Sequence, residues 1–190
     1  MDACASSVGA RLFLAIIPDV GTAARIHRLA GVLKRAHKFS GKLIVPERLH
    51  VSLFFLGGLS EPGFEAACAA AAEVRTEPFE VLFDRTASFR GKRGSRPFVL
   101  VGDKGLQRLE SFRRTLGGAM TRCGLRRAAN TNFTPHVTLL YDARSAEEYP
   151  IEPISWIATE FVLIRSFGGH ECLARWPLNR SDDASVLRSN

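Results

Sequence analysis

Apolar residues recur along this chain with two different periods. Arg11-Leu12-Phe13-Leu14-Ala15-Ile16-Ile17 is apolar after its first residue, which predicts a buried strand, and Pro18 stops it. Over about 20–38 the period becomes helical. Ile26, Leu29, Ala30 and Leu33 fall at i, i+3, i+4 and i+7, while Arg25, Arg28, Lys34 and Arg35 lie off that stripe. Leu49 to Leu56 predicts a second strand, closed by Gly57-Gly58. Ser60 is placed as an N-cap, with Pro62 in the first turn of an Ala-rich helix reaching about Arg75. Phe79 to Phe89 is β-like, residues 90–97 form a basic, Gly-containing loop, and Pro97 to Val101 is another strand.

The second half repeats the scheme. A helix is predicted from about Lys104 to Cys123, with Leu109, Phe112, Leu116, Met120 and Cys123 on one face and Gly124 as its stop. Thr134 to Leu140 is a strand, and Glu160 to Ser166 with Glu171 to Trp176 makes a strand pair around Gly168-Gly169. Residues 1–9 and 181–190 are small and polar and read as loose termini, leaving 10–180 as one domain.

Each half carries one strand with the same four-residue pattern: His50-Val51-Ser52-Leu53 and His136-Val137-Thr138-Leu139. They stand 86 residues apart, too far for a solenoid repeat and suited to two copies of a half-domain. Residues i and i+2 of a strand share a face. Each motif therefore presents an imidazole and a hydroxyl together, with its apolar positions turned to the packed side. A lone strand histidine is usually structural, but two in matching contexts suit cleavage of a cyclic phosphodiester. One imidazole takes a proton from water and the other gives one to the leaving ribose oxygen. A histidine pKa near 6.5 makes both forms accessible at neutral pH. The hydroxyls can donate to the non-bridging phosphate oxygens. No metal or cofactor is required, and neither motif has a carboxylate or third histidine at a ligand spacing. The residues leave open which imidazole is acid and which base.

Composition adds direction. The chain has 190 residues, 46% hydrophobic and 24% charged, which suits one soluble domain or two tightly joined lobes. Its net charge of +7 favours encounter with polyanions such as RNA or nucleotides, though solubility alone explains it equally well. Arg90, Lys92, Arg93 and Arg96, and separately Arg122, Arg126 and Arg127, are candidate polyanion contacts or plain solvated surface. Cys4, Cys68, Cys123 and Cys172 show no C-x-x-C spacing and read as free thiols of a reducing cytoplasm. The start of the chain lacks the basic and apolar regions of a signal peptide, and no apolar run approaches the ~20 residues that span a bilayer. A cytoplasmic monomer is expected.

The motifs in this order resemble the 2H phosphoesterase superfamily, and within it the bacterial RNA 2′,3′-cyclic phosphodiesterases, also called 2′-5′ RNA ligases. Pro46-Glu47-Arg48-Leu49-His50, the continuation Phe54-Leu56-Gly57, Phe133-Thr134-Pro135-His136 and Trp156-Ile157-Ala158-Thr159-Glu160-Phe161 carry the resemblance with the two motifs. It implies an α+β fold of two pseudo-symmetric lobes, built largely from 10–95 and 96–180 and exchanging strands. Each lobe has an antiparallel sheet with helices on its outer face, and the two flank a central cleft.

The resemblance also implies His50 as proton donor, His136 as proton acceptor, and Ser52 and Thr138 as phosphate-holding hydroxyls. The reaction implied is hydrolysis of RNA or nucleotide 2′,3′-cyclic phosphates to 2′-phosphomonoesters. The alternatives are 2′-5′ RNA ligation and a non-catalytic module binding RNA or nucleotides in the same cleft. Tyr141 stands where many relatives carry an Arg, and His170 where an aromatic residue is common. Tyr141, His170 and Phe133 are further candidates for nucleotide contact, though a turn position is the better-supported reading of His170 and core packing that of Phe133; strict alternation places Tyr141 on the face away from His136 unless the strand bends.

Overall fold

The computed structural model describes residues 11–92, 94–126 and 133–179. The expectations for the termini, Cys4, Arg93 and Arg127 lie outside those residues. The elements run β1 (Arg11–Ile16), α1 (Val20–Ala36), β2 (Val51–Gly57), α2 (Glu61–Glu73), β3 (Phe79–Ser88), β4 (Arg96–Val101), α3 (Gln107–Arg122), β5 (Val137–Asp142), β6 (Tyr149–Ala158), β7 (Glu160–Ser166) and β8 (His170–Pro177). The fold is α+β. All eight strands join one antiparallel sheet in the order β6-β3-β4-β5-β2-β1-β7-β8.

That order reads outward from its centre as two equivalent halves. Each half has a strand–helix–strand unit: β1-α1-β2 in one, β4-α3-β5 in the other. The first half is completed by β7 and β8 from late in the chain, the second by β3 and β6. Within the sheet the halves join where β2 and β5 pair, and that ladder is one residue pair long, Val51 with Val137.

One face of the sheet carries the main core. Ala23, Ile26, Ala30 and Leu33 of α1, Ala67, Ala70 and Ala71 of α2, and Leu109, Phe112, Leu116 and Met120 of α3 are buried there. They pack on Leu14, Val51, Phe83, Leu100, Val137 and Leu163 from both halves of the sheet. Asp19 caps α1 by accepting from the Thr22 amide at 2.9 Å. Ser60 stands at the N-cap of α2, as its sequence predicts, without a side-chain cap bond. The described cysteines, Cys68, Cys123 and Cys172, are free thiols. No described helix is long and apolar enough to cross a membrane.

One strand is absent from the sequence expectations. β6 contains Pro150, Glu152 and Pro153, and most of its outer half is exposed, so it shows no clean alternation. It is an edge strand, where a proline leaves no ladder bond unmade.

A strap between α1 and β2 reaches across to β5. The Ile44 amide donates to the Leu139 carbonyl at 2.8 Å, and Leu43 bridges Leu140. His27 ties the strap to α1 through Nδ1 and the Ile44 carbonyl, 2.9 Å apart. At its start the buried Asp142 carboxylate accepts from the amides of Ser40 (2.6 Å) and Gly41 (2.7 Å), the Ser40 hydroxyl (3.1 Å) and the Arg144 amide (2.9 Å). Gly41 lies so close to β5 that a Cβ there would stand 1.9 Å from the Tyr141 carbonyl oxygen. The strap ends in a 3-10 turn, Pro46–Arg48, which delivers the chain to His50.

Candidate active site

The two predicted motifs meet at the seam of the sheet. His50 and His136 each stand one residue before a strand, directly beside the paired Val51 and Val137. Antiparallel register about that pair sets His50 across from Thr138 and Ser52 across from His136. Val51, Leu53, Val137 and Leu139 are buried in the main core, while His50, Ser52, His136 and Thr138 are half-buried on the opposite, open face.

Both imidazoles are oriented by the same local device. Nδ1 of His50 lies 2.7 Å from the Arg48 carbonyl, and Nδ1 of His136 lies 2.8 Å from the Thr134 carbonyl. A carbonyl only accepts, so each Nδ1 carries the hydrogen and each Nε2 is left for proton exchange. Nε2 of His50 is 3.1 Å from the Ser52 hydroxyl. Aromatic rings support both: Phe13 of β1 lies 4.9 Å from the His50 ring, and Phe89, just after β3, meets the His136 ring edge-on at 5.0 Å. Each of these phenylalanines belongs to a small apolar cluster on the open face. Phe13 joins Ala15, Val162 and Ile164, and Phe89 packs on Ala87, Val99 and Val101.

His170, at the start of β8, completes a triangle of rings, 5.1 Å from His50 and 5.4 Å from Phe13. Burial pushes the His50 imidazole down to about 4, against the pull of the Arg48 carbonyl; positive charge on His170, His136 and Arg48 pushes the same way. The His170 imidazole is also lowered, by burial first and then by the Arg48 guanidinium. His50 is therefore neutral at pH 7 in the empty site.

The shift has a consequence for stability. With its folded pKa below the unfolded value of about 6.5, His50 binds a proton more readily in the unfolded chain. Its contribution is full above pH ~6.5 and is lost as pH falls towards ~4, by at most about 3 kcal/mol. Urea titrations at pH 7.5 and pH 5 should show the wild type losing more stability than His50→Gln. Equal losses would count against a buried, neutral His50.

Tyr141 reaches the open face despite simple alternation, because β5 is bulged. Val99 pairs with Thr138 and Phe98 with Leu140, leaving Leu139 as an extra residue. Leu139 and Leu140 both enter the core, and Tyr141, paired with Pro97, shares the face of Thr138 and Val99. Phe133 goes elsewhere. It packs against the main core, with the Arg113 guanidinium 4.3 Å from its ring centroid and equally close to Phe54. The basic loop of Arg90, Lys92 and Arg96 begins at Phe89, beside His136. Arg122 instead pairs with Glu73, joining α3 to α2 on the helical side. Among the described residues, no three His, Cys, Asp or Glu side chains form a metal-binding group.

Sequence reasoning did not single out Phe13, Phe89 or Arg48 as site residues. Phe13 and Phe89 read as ordinary apolar strand positions, and only the pairing of distant strands shows which face they occupy. Arg48 lies two residues before His50, a position that its sequence alone could have flagged.

Most of the chain is similar to known proteins. A family model described as the 2′-5′ RNA ligase superfamily matches residues 18–169. The RNA 2′,3′-cyclic phosphodiesterase of Archaeoglobus fulgidus is 30% identical over 130 residues, covering 68% of this chain and 70% of that protein. The Escherichia coli RNA 2′,3′-cyclic phosphodiesterase is 29% identical over 129 residues, 67% of this chain and 71% of its own. The crystal structure of E. coli LigT complexed with 3′-AMP superposes with a TM-score of 0.71 at 28% identity, covering 90% of this chain and 98% of that one.

Proposed function

The chain belongs to the 2′-5′ RNA ligase superfamily, and from that premise we propose that it hydrolyses the 2′,3′-cyclic phosphates of RNA ends or small nucleotides to 2′-phosphomonoesters. The observation that carries the reading is the seam: two imidazoles with matched Nδ1–carbonyl anchors and two hydroxyls on one face, across a single strand pair. The names of the similar proteins, RNA 2′,3′-cyclic phosphodiesterases, support the substrate class.

In this mechanism the water oxygen attacks phosphorus while the bond to the ribose 3′ oxygen breaks. His136 Nε2 takes the proton from water, and His50 Nε2 gives a proton to the departing 3′ oxygen. Ser52 and Thr138 donate to the non-bridging oxygens, where negative charge grows in the transition state. Since His50 is neutral in the empty site, the anionic phosphate itself draws the proton onto it, because a nearby negative charge favours the imidazolium. Acid and base are then supplied by the chain alone, and the reaction needs no metal.

The test is turnover of an RNA ending in a 2′,3′-cyclic phosphate by protein stripped with EDTA. Full activity and a product bearing a 2′-phosphate are expected. A 3′-phosphate product, or activity restored only by a divalent cation, would contradict the proposal. Binding without any turnover would favour the non-catalytic alternative.

A further inference from the structure

The bulge that exposes Tyr141 has a twin. In β2, Ala15 pairs with Ser52 and Leu14 with Phe54, so Leu53 is the extra residue. Leu53 and Phe54 both enter the main core, and Phe55, paired with Phe13, comes out on the open face. The extra residue of a bulge drops out of the ladder, and a buried peptide group must then find its partner elsewhere. Both extra residues have one outside the sheet. The Leu139 carbonyl accepts from the Ile44 amide of the strap at 2.8 Å, and the Leu53 carbonyl accepts from Arg113 Nε at 2.9 Å. Each bulge follows directly on a hydroxyl, Thr138 in one strand and Ser52 in the other. What the backbone of the strap does for the second motif, one side chain of α3 does for the first.

An arginine is an unexpected choice for that place. Leu109, Phe112 and Leu116 set the packed side of α3, and position 113, one turn from Leu109 and from Leu116, falls at its margin. Packing alone would favour leucine or methionine there, since burial disfavours a charge and pushes the guanidinium pKa down. The guanidinium is held by more than the carbonyl. Its central carbon lies 4.3 Å from the ring centroid of Phe54 and 4.3 Å from that of Phe133, within the range of a cation–π attraction. Phe54 stands two residues after Ser52, and Phe133 adjoins Thr134, whose carbonyl anchors His136. One planar cation on the core side thus touches the chain beside both motifs.

We propose that Arg113 is a positioning residue for the reaction: it holds the β2 bulge so that the Ser52 hydroxyl meets the phosphate, and it holds Phe133 so that the Thr134 carbonyl keeps the His136 ring aimed. The proposal rests on the phosphodiesterase reading and extends it to a residue that touches no substrate. The rings that Arg113 contacts belong to the main core, whereas the histidines and hydroxyls stand on the open face, so it acts through the backbone. A displacement of about 1 Å at a reacting group is worth about 100-fold in rate.

The experiment uses the whole chain, with adenosine 2′,3′-cyclic phosphate as substrate. Arg113→Met keeps an unbranched apolar stem and removes the donor and the charge. It should lower kcat about ten- to 100-fold and leave KM nearly unchanged. Leu116→Ala, on the same helix and fully buried, also weakens the fold, but it should keep the wild-type kcat when both variants are assayed equally far below their own Tm. The His136 ring supplies a second readout. Its nitrogen NMR shifts should report the Nδ1–H form in the wild type, and in Arg113→Met the Nε2–H form should grow. Should Arg113→Met not fold, Phe133→Leu takes its place, with both changes expected in the same direction. An unchanged kcat, an equal fall in Leu116→Ala or an unaltered His136 tautomer would overturn the proposal. Absence of turnover by the unaltered protein would instead sink the phosphodiesterase reading, and the His136 shifts would then still decide the positioning.

Discussion

His50→Gln and His136→Gln are each expected to lower kcat on a 2′,3′-cyclic-phosphate RNA by about 10²–10⁴-fold, the span of a positioned general acid or base. The double variant should lose little more than the worse single one, because half of an acid–base pair retains almost nothing for the second substitution to remove. Folding should survive in all three, since both side chains lie on the open face and their buried neighbours Val51 and Val137 are untouched. A pH–rate series separates the roles. Loss of the acid should remove the alkaline limb and loss of the base the acidic one, with His50→Gln expected to remove the former. The two rings lie close enough for charge on His136 to lower His50, so the limbs of the wild type belong to the pair. Near-normal kcat in either variant would refute the paired mechanism.

The largest loss of stability is expected away from the histidines, at Asp142. Asp142→Ala should cost about 2–4 kcal/mol in urea unfolding, since it leaves three amides and a hydroxyl, all in part-buried bonds, without the charged acceptor they share. Those bonds, the Arg144 amide first, hold the carboxyl at about 2 despite its burial. Its folded pKa is below the unfolded one, so the stabilisation is present above pH ~4 and disappears as pH falls through ~2. The wild-type advantage over Asp142→Ala should therefore shrink between those values, and a constant gap would show that packing rather than charge holds the strap. The strap ends at the turn whose Arg48 carbonyl anchors His50, so the variant should also lose activity at temperatures where it is still folded.

What could be read in the residues and what could not divide along a physical line. The histidines, their hydroxyl partners and their buried neighbours are related by positions i to i+3 of one strand, and strand geometry is local. The helical stripes of α1 and α3 are local in the same sense. The bulges at Leu53 and Leu139 are not. Two consecutive buried residues show that the phase has shifted only after the partner strand is known, and β1 and β4 supply that knowledge. For that reason simple alternation misplaces Tyr141 and Phe55. The same holds for His170. It follows a glycine pair and looks like a turn residue, yet β8 pairs with β7, β7 with β1, and the ring arrives against Phe13 and His50. Phe133 stands near His136 in the chain, but its residue type suits core packing better than base stacking, and it packs on the core side with Arg113 over its ring.

The lone Val51–Val137 pair finally bears on how errors enter this protein. Side chains alternate along a strand, so a slip of one residue there would turn an imidazole and a hydroxyl inward and bring a valine and a leucine out to solvent. The mistake would bury polar groups without partners while stranding apolar ones in water, and both halves of the core would resist it. The two imidazoles are thus kept in alignment by the chemistry of their greasy neighbours. A misfolded copy would be penalised by its core, whatever happened to its activity.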